Sequence, residues 1–430
     1  MSVTVKKTCT PVTNTIVAPL NEGTDMTQGM DLIFRLGSSE VPYWLVQSSF
    51  LRLDIELEST NDDGDVYDCI RSAAMIFSDV WVRHASTSNV YDQHYNIEAA
   101  FLDMIKNGSA YLNSQLGTYT TSDNFKISKC AKPGSNNRTK KFTGIIIPIP
   151  ILLKCFENAT TIPLIALNQQ MEIRLRVSDP SRFMVQYVDK EDENPNGRFT
   201  APAVGTYSGI KITKAELYIA GENVDNDISS AEIAEYNEGK AFTYKYTKAH
   251  INTRLQPAGP KNSQYNINFS VSTENTKSIY VYSYQNDLPS LSYRPDFINT
   301  NIQFGRNYIP YSPVNVSAWE FPSYYKTLVD SVLDIQGSRF TTSNKDYNLS
   351  YDPITTDEEA ATAKQDTHII LAGDFIVDND LLGASSKQWN SQYNLKCVCN
   401  SNVEAAYYCL LVESEHMLTI KDGNITDLNL

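Results

Sequence analysis

The five histidines, His84, His94, His250, His368 and His416, are the side chains best suited to proton transfer near neutral pH. No two stand at a metal-ligand spacing such as His-x-x-x-His. Each reads as a surface histidine or one satisfied within a sheet. Glu413, Glu415 and His416 lie together. A glycosidase needs two carboxylates at a set separation, but Glu413 and Glu415 share one face of a strand and read as a solvated face. The chain has no Gly-x-Ser-x-Gly elbow, no glycine-rich phosphate loop and no Gly-Lys-Ser/Thr, so nucleophilic and phosphoryl-transfer chemistry find no support.

Metal chemistry fares no better. In Asn61-Asp62-Asp63-Gly64-Asp65, setting Gly64 at the glycine position of a calcium loop puts Ile70 where a bidentate glutamate is required, so the stretch reads as a turn. The seven cysteines, Cys9, Cys69, Cys130, Cys155, Cys397, Cys399 and Cys409, are scattered and odd in number, with no Cys-x-x-Cys pair. A zinc ribbon or redox motif is thereby disfavoured. They read as small buried hydrophobes in a reducing compartment, Cys397 and Cys399 sharing one strand face. We expect no catalytic residue, no cofactor and no metal.

The elements that would have to position any such group are strands. In residues 50–58, Leu51, Leu53, Ile55 and Leu57 alternate with Arg52, Asp54, Glu56 and Glu58, the pattern of a strand buried on one face. Met171, Ile173, Leu175 and Val177 repeat the device. Further alternating runs are Phe242-Tyr244-Tyr246, Tyr265-Ile267-Phe269-Val271, Leu395-Cys397-Cys399 and Leu418-Ile420, the last closing on the turn Lys421-Asp422-Gly423-Asn424. Helical pattern is confined to residues 96–108, to a capping box Ser229-x-x-Glu232 before a short helix stopped by Gly239, and to residues 323–337. The same succession of strands, helix, polar loop and strands occurs in residues 28–224 and again in 240–430. This predicts an all-β chain of two β-sandwiches. The boundaries expected are an N-terminal arm at 1–27, a first sandwich at 28–225, a linker helix at 226–239 and a second sandwich at 240–430. Acidic segments at 189–193 and 357–359 read as exposed loops.

Composition excludes several classes. With 41% hydrophobic and 20% charged residues the chain can build packed cores and is not disordered. Its formal charge of −14 argues against a nucleic-acid groove, because such grooves carry a basic surplus. Lys6-Lys7 and the basic loop at 132–141 are short and read as solvated. The first twenty residues contain no apolar core of a secretory signal. The longest uncharged apolar stretch, 142–153, is too short to span a bilayer and contains Pro148 and Pro150.

The most distinctive stretch, 145–177, carries no catalytic group. Prolines remove ladder donors, so Pro148 and Pro150 mark a strand entry or edge. An apolar crossing, Ile162-Pro163-Leu164-Ile165-Ala166-Leu167, then leads to the amphipathic strand at 171–177. This combination resembles the double jelly-roll major capsid proteins of double-stranded DNA viruses. There a Leu-Pro-Leu-Pro-like segment precedes a Leu-Pro-Leu-Ile-Ala-Leu segment near the end of the first roll. Ile76-Phe77-Ser78-Asp79-Val80-Trp81-Val82 followed by 95–102 is similar to a strand and helix of polinton, adintovirus and polinton-like virus capsid proteins, with Ile97, Glu98 and Phe101 departing from the helix motif. Residues 212–224 and 410–425 resemble the strands closing the first and second rolls.

The resemblance implies two consecutive eight-stranded jelly rolls, with Phe77, Ser78, Pro148, Pro150, Pro163, Leu164, Ile165, Ala166 and Leu167 as structural motif residues. It implies a structural virion protein whose homotrimers form pseudo-hexameric capsomers of an icosahedral shell. The length suits the smaller, virophage-like or polinton-like members. Partners would be further copies of the chain, penton proteins and minor capsid proteins, with no sequence-specific nucleic-acid binding. An internal membrane stays open. The location would be the virion, after synthesis in the host cell without a secretory signal. The alternatives are a β-sandwich carbohydrate- or receptor-binding virion protein, which the 26 tyrosines would suit, and a β-sandwich glycoside hydrolase.

Overall fold

The computed structural model describes residues 13–21, 25–61, 66–70, 73–86, 90–95, 130–131, 138–156, 159–188, 198–222, 226–273, 275–289, 293, 295–305, 307–315, 370–374 and 392–429. The helices expected at 96–108 and 323–337, both acidic segments and His368 lie outside them.

The first unit contains β1 (Thr13–Val17), β2 (Met26–Thr27), β3 (Asp31–Leu36), β4 (Tyr43–Ser59), β5 (Val66–Ile70), β6 (Phe77–His84), β7 (Val90–Tyr95), β8 (Cys130–Ala131), β9 (Thr139–Pro148), β10 (Thr161–Pro163), β11 (Met171–Val177), β12 (Met184–Val188), β13 (Arg198–Thr200) and β14 (Tyr207–Glu222). One sheet runs β1-β14-β4-β10, with β2 also on β14 and β9 also on β4; the facing sheet runs β3-β11-β6-β7. A smaller sheet, β13-β12-β5-β8, is built from the connections. The second unit contains β15 (Phe242–Gln256), β16 (Gln264–Phe269), β17 (Thr276–Tyr284), β18 (Phe297–Phe304), β19 (Asn307–Val314), β20 (Leu371–Asp374), β21 (Tyr393–Cys399), β22 (Ala406–Lys421) and β23 (Asn424–Asn429). Its sheets run β15-β22-β17-β20, with β23 on β22, and β16-β21-β18-β19. The two units therefore match strand for strand, β1 with β15, β14 with β22, β4 with β17, β9 with β20, and β3, β11, β6, β7 with β16, β21, β18, β19. Each is an eight-stranded jelly roll.

Alternation explains why these strands face as they do. Leu51, Leu53, Ile55 and Leu57 of β4 are buried, while Arg52, Asp54 and Glu56 lie on the outer face. There Arg52 meets Glu216 at 3.8 Å and Lys141 meets Glu56 at 2.7 Å. Leu53→Ala should therefore cost about 2–5 kcal/mol, whereas Arg52→Ala should stay within about 0.5 kcal/mol, since Arg52 is exposed to solvent and its ion pair with Glu216 is long. Thermal melts of the two variants test this, and a reversed order would mean the faces are misassigned.

Three expectations need correcting. β1 and β2 lie inside the segment read as an arm, yet they are hydrogen-bonded to β14 and form the first strand of the first roll. The helix spans Asn226–Asn237, so Ser229 stands within it rather than at its N-cap; Gly239, at φ +100°, ends it as expected. Glu172 sits on the outward face of β11 but is buried, because Arg35 and Arg83 oppose it in register and, with Arg174, close over its carboxylate.

Candidate functional site: the seam between the rolls

The motif prolines act by interrupting an edge strand. β9 and β10 lie along the same edge of β4, at Phe50–Glu58 and Tyr43–Leu45 respectively. Pro148 is the last residue of β9, a strand exit at a sheet edge rather than an entry, and Pro150 lies in the first turn of a short helix, Ile149–Leu152, where its missing N–H costs nothing. The chain next forms a 3-10 turn, Lys154–Phe156, before returning as β10.

That excursion reaches the second roll. Phe156 is fully buried, with its ring 5.3 Å from Trp44 of its own roll, edge to face, and 6.3 Å from Tyr244 of β15. The Tyr244 hydroxyl donates to the Cys155 carbonyl. Tyr244 continues to Tyr246, and Tyr246 to His416, so aromatic rings connect the two cores, which form one apolar cluster.

The crossing supplies a second point of docking. Pro163 and Leu164 are buried, and Leu164–Ala166 forms a 3-10 turn against which the helix Asn226–Asn237 packs. Ile165 and Leu167 are only partly buried. For Leu167 this departs from the full burial expected of a core residue, because its backbone bridges Gly423 at the rim of the seam. Asn168 N–H donates to the Gly423 carbonyl at 3.1 Å. Asp422 and Gly423 both have positive φ, 51° and 75°, the requirement of the two-residue turn joining β22 to β23. A third link is the Arg182–Asp287 ion pair at 3.6 Å. It borders an open cleft of about 380 Å³ that is also lined by Ile251, Leu255, Tyr284 and Tyr407. Phe77 is buried at the start of β6, and Ser78 donates to its neighbour Asp79 at 2.8 Å.

The residues suspected of chemistry are placed elsewhere. His250 and His416 are brought together by the β15–β22 register, and Ser414 Oγ stands 2.9 Å from one Nε2 and 3.0 Å from the other. Ser414 is fully buried, so no substrate reaches it. Glu413 and Glu415 lie on the opposite face, the first accepting from Ser278 at 2.6 Å and the second 3.4 Å from Lys277. His84 is buried with its Nδ1 beside Ser86 Oγ, and His94 lies in β7. Burial pushes the Cys397 and Cys399 thiols up, away from reactivity. Asn61 of the calcium-like stretch donates to Asp68 at 3.1 Å, and Ser59 and Tyr207 donate to the same buried carboxylate. Among the described residues no three His, Cys, Asp or Glu side chains cluster as metal ligands, and no helix is long and apolar enough to cross a membrane.

Sequence reasoning missed Phe156, Asn168 and Tyr244 as docking residues and read Gly423 only as part of a turn. The local signal for Gly423 was the Asp-Gly pair; nothing local marked the others.

No protein-family model matches the sequence, and no curated protein matches it. Solved structures do match along nearly the whole chain. VP54 of PBCV-1, fitted into a reconstruction of the virophage Sputnik, is 10% identical, with 99% of this chain and 98% of that chain covered and a TM-score of 0.57. A chain of the Sputnik virophage structure gives 10% identity, coverage of 100% and 90%, and 0.55. The mavirus major capsid protein gives 10%, 97% and 90%, and 0.51. The chain has the double jelly-roll fold of these capsid proteins. The match spans both rolls and the seam, so the paired arrangement is shared along with the single sandwich.

Proposed function

We propose that the chain is the major capsid protein of an icosahedral double-stranded DNA virus, a structural protein of the virion. The observation that carries this reading is the seam. Two complete jelly rolls are welded side by side by apolar packing, and the similar structures, matched over at least 90% of both chains, come from the PBCV-1 capsid, the Sputnik virophage and the mavirus major capsid protein. A single roll would suffice for binding a sugar, whereas a rigid pair is a building unit. The motif at 148–167 then serves assembly indirectly, by holding the two rolls in a fixed relation. No proton transfer or bound cofactor enters this role.

The finer reading is a homotrimer. Two rolls cannot close a six-sided ring, but three chains supply six. Each chain would bury a surface of obligate size, roughly 2,000 Å² or more, in a contact closed by three-fold rotation. Penton and minor capsid proteins would be further partners of the assembled shell. The purified chain should elute as a particle of about 145 kDa, three times 48.3 kDa, and negative-stain images should show hexagonal outlines. A monomer at micromolar concentration that binds glycans would favour the carbohydrate-binding alternative instead.

A further inference from the structure

We infer that Cys69 and Cys130 close a disulfide when the chain meets an oxidising medium, a covalent clasp between two connections of the first roll.

The strand register carries this. β5 lies in the connection from β4 to β6, and β8 in the connection from β7 to β9. They pair antiparallel in the smaller sheet, and their ladder sets Cys69 opposite Cys130. Directly opposed residues of an antiparallel pair have Cα atoms about 4.5 or 5.5 Å apart, according to whether they exchange hydrogen bonds. Both values fall within the range of roughly 4.4–6.8 Å that a disulfide requires. Opposed residues also share one face of the sheet. Among the described residues no other two cysteines stand opposite each other. Across the ladders Cys397 faces Tyr265, Cys399 faces Phe297, and Cys409 faces Thr253 and Tyr282. Cys397 and Cys399 are neighbours on one face of β21, but two residues of strand rise set them about 6.6 Å apart. A bond whose Cβ atoms must approach to about 4.5 Å cannot form there.

One end of the clasp is already fixed. The buried Asp68 carboxylate beside Cys69 accepts from Ser59 at 2.7 Å, Tyr207 at 2.9 Å and Asn61 at 3.1 Å, which ties β5 to the end of β4 and the start of β14. The other end needs fixing, because β8 brings only Cys130 and Ala131 to the ladder. A bond here closes the loop 70–129, and cross-links that close long loops restrict the unfolded chain most.

A small disulfide such as oxidised glutathione serves as the oxidant. One cysteine thiolate attacks it, releases a small thiolate and becomes a mixed disulfide. The second cysteine thiolate attacks that mixed disulfide, releases the second small thiolate and completes the protein S–S bond. Two protein thiols are oxidised, one small disulfide is reduced to two thiols, and the protons pass from the protein thiols to the released thiolates. Cys69 is fully buried, so the finished bond is shielded from reductants. The bond itself does not depend on the capsid reading; its timing rests on it. A virion protein is made with free thiols in a reducing cell and locks once the particle is outside.

The test uses the full chain, purified under reducing conditions and then exposed to oxidised glutathione. Remaining thiols are alkylated, and peptides are mapped by mass spectrometry without reduction. A peptide pair linked through Cys69 and Cys130 should be the main internal cross-link, and dithiothreitol should abolish it. The oxidised chain should melt several degrees above the reduced one, a difference absent from Cys69→Ser and Cys130→Ser. The wild-type map needs no variant to fold. Recovery of both cysteines alkylated, or linked elsewhere, would overturn the clasp while leaving the capsid reading intact. A chain that forms the bond yet stays monomeric by light scattering would support the clasp and overturn the homotrimer.

Discussion

Phe156→Ala should destabilise the chain by about 3–5 kcal/mol and should split its unfolding into two transitions. The ring is fully buried, touches Trp44 on one side and Tyr244 on the other, and sits where the two cores meet. Truncation leaves a cavity shared by both rolls. Leu53→Ala removes a comparable apolar volume from within the first roll alone, so it should lower that roll's stability without uncoupling the second. Calorimetry distinguishes the two. A single, unshifted transition for Phe156→Ala would show that the seam carries little of the stability, and the rolls would have to be held by something else.

Gly423→Ala should cost about 2–3 kcal/mol, although it adds a single methyl group. Part of the loss is conformational: φ of +75° is a region that a residue with a Cβ enters at a cost of roughly 1–2 kcal/mol. The rest is steric. A Cβ at this position would lie 2.7 Å from the Cβ of Asn168 and nearer still to its amide, so the turn must retreat from the first roll. Asn168→Gly should restore the steric part and leave the conformational part. The pair thus forms a double-mutant cycle with a coupling of about 1 kcal/mol. Strict additivity, read from chemical denaturation of the four proteins, would mean that the turn does not press on Asn168.

The strands were legible wherever one face meets a core and the other meets water. β4 at 51–58 and β11 announce themselves by alternation, and so does the end of β22 at Leu418-Ile420. β1 did not, because Thr13–Val17 is a short edge strand with Asn14 and Ile16 both exposed. Nothing in its pattern separates it from an arm, and the first roll was expected to begin after it. Glu172 was unreadable for another reason. Its burial depends on arginines from two other strands, which alternation along β11 cannot reveal. The linker helix was placed from 226, where it begins, but its N-cap was misread at Ser229 because a Ser-x-x-Glu pattern outweighed the helix-starting residues Asn226 and Asp227 just before it. The motif at 148–167 was visible as something built for packing. What it packs against was not, since its partners Tyr244 and Gly423 lie in the other roll and only the folded topology brings them near.

The link from Asn168 to Asp422 spans 254 residues. At ordinary rates of translation that interval lasts roughly 10–50 s. The first roll can fold, display its half of the seam and wait, but its partner turn does not yet exist. A nascent chain stalled before residue 422 would hold a finished first sandwich with no clasp for it. Assembly-competent units would then come only from chains whose synthesis has passed that point, and the fold itself would screen out prematurely terminated products.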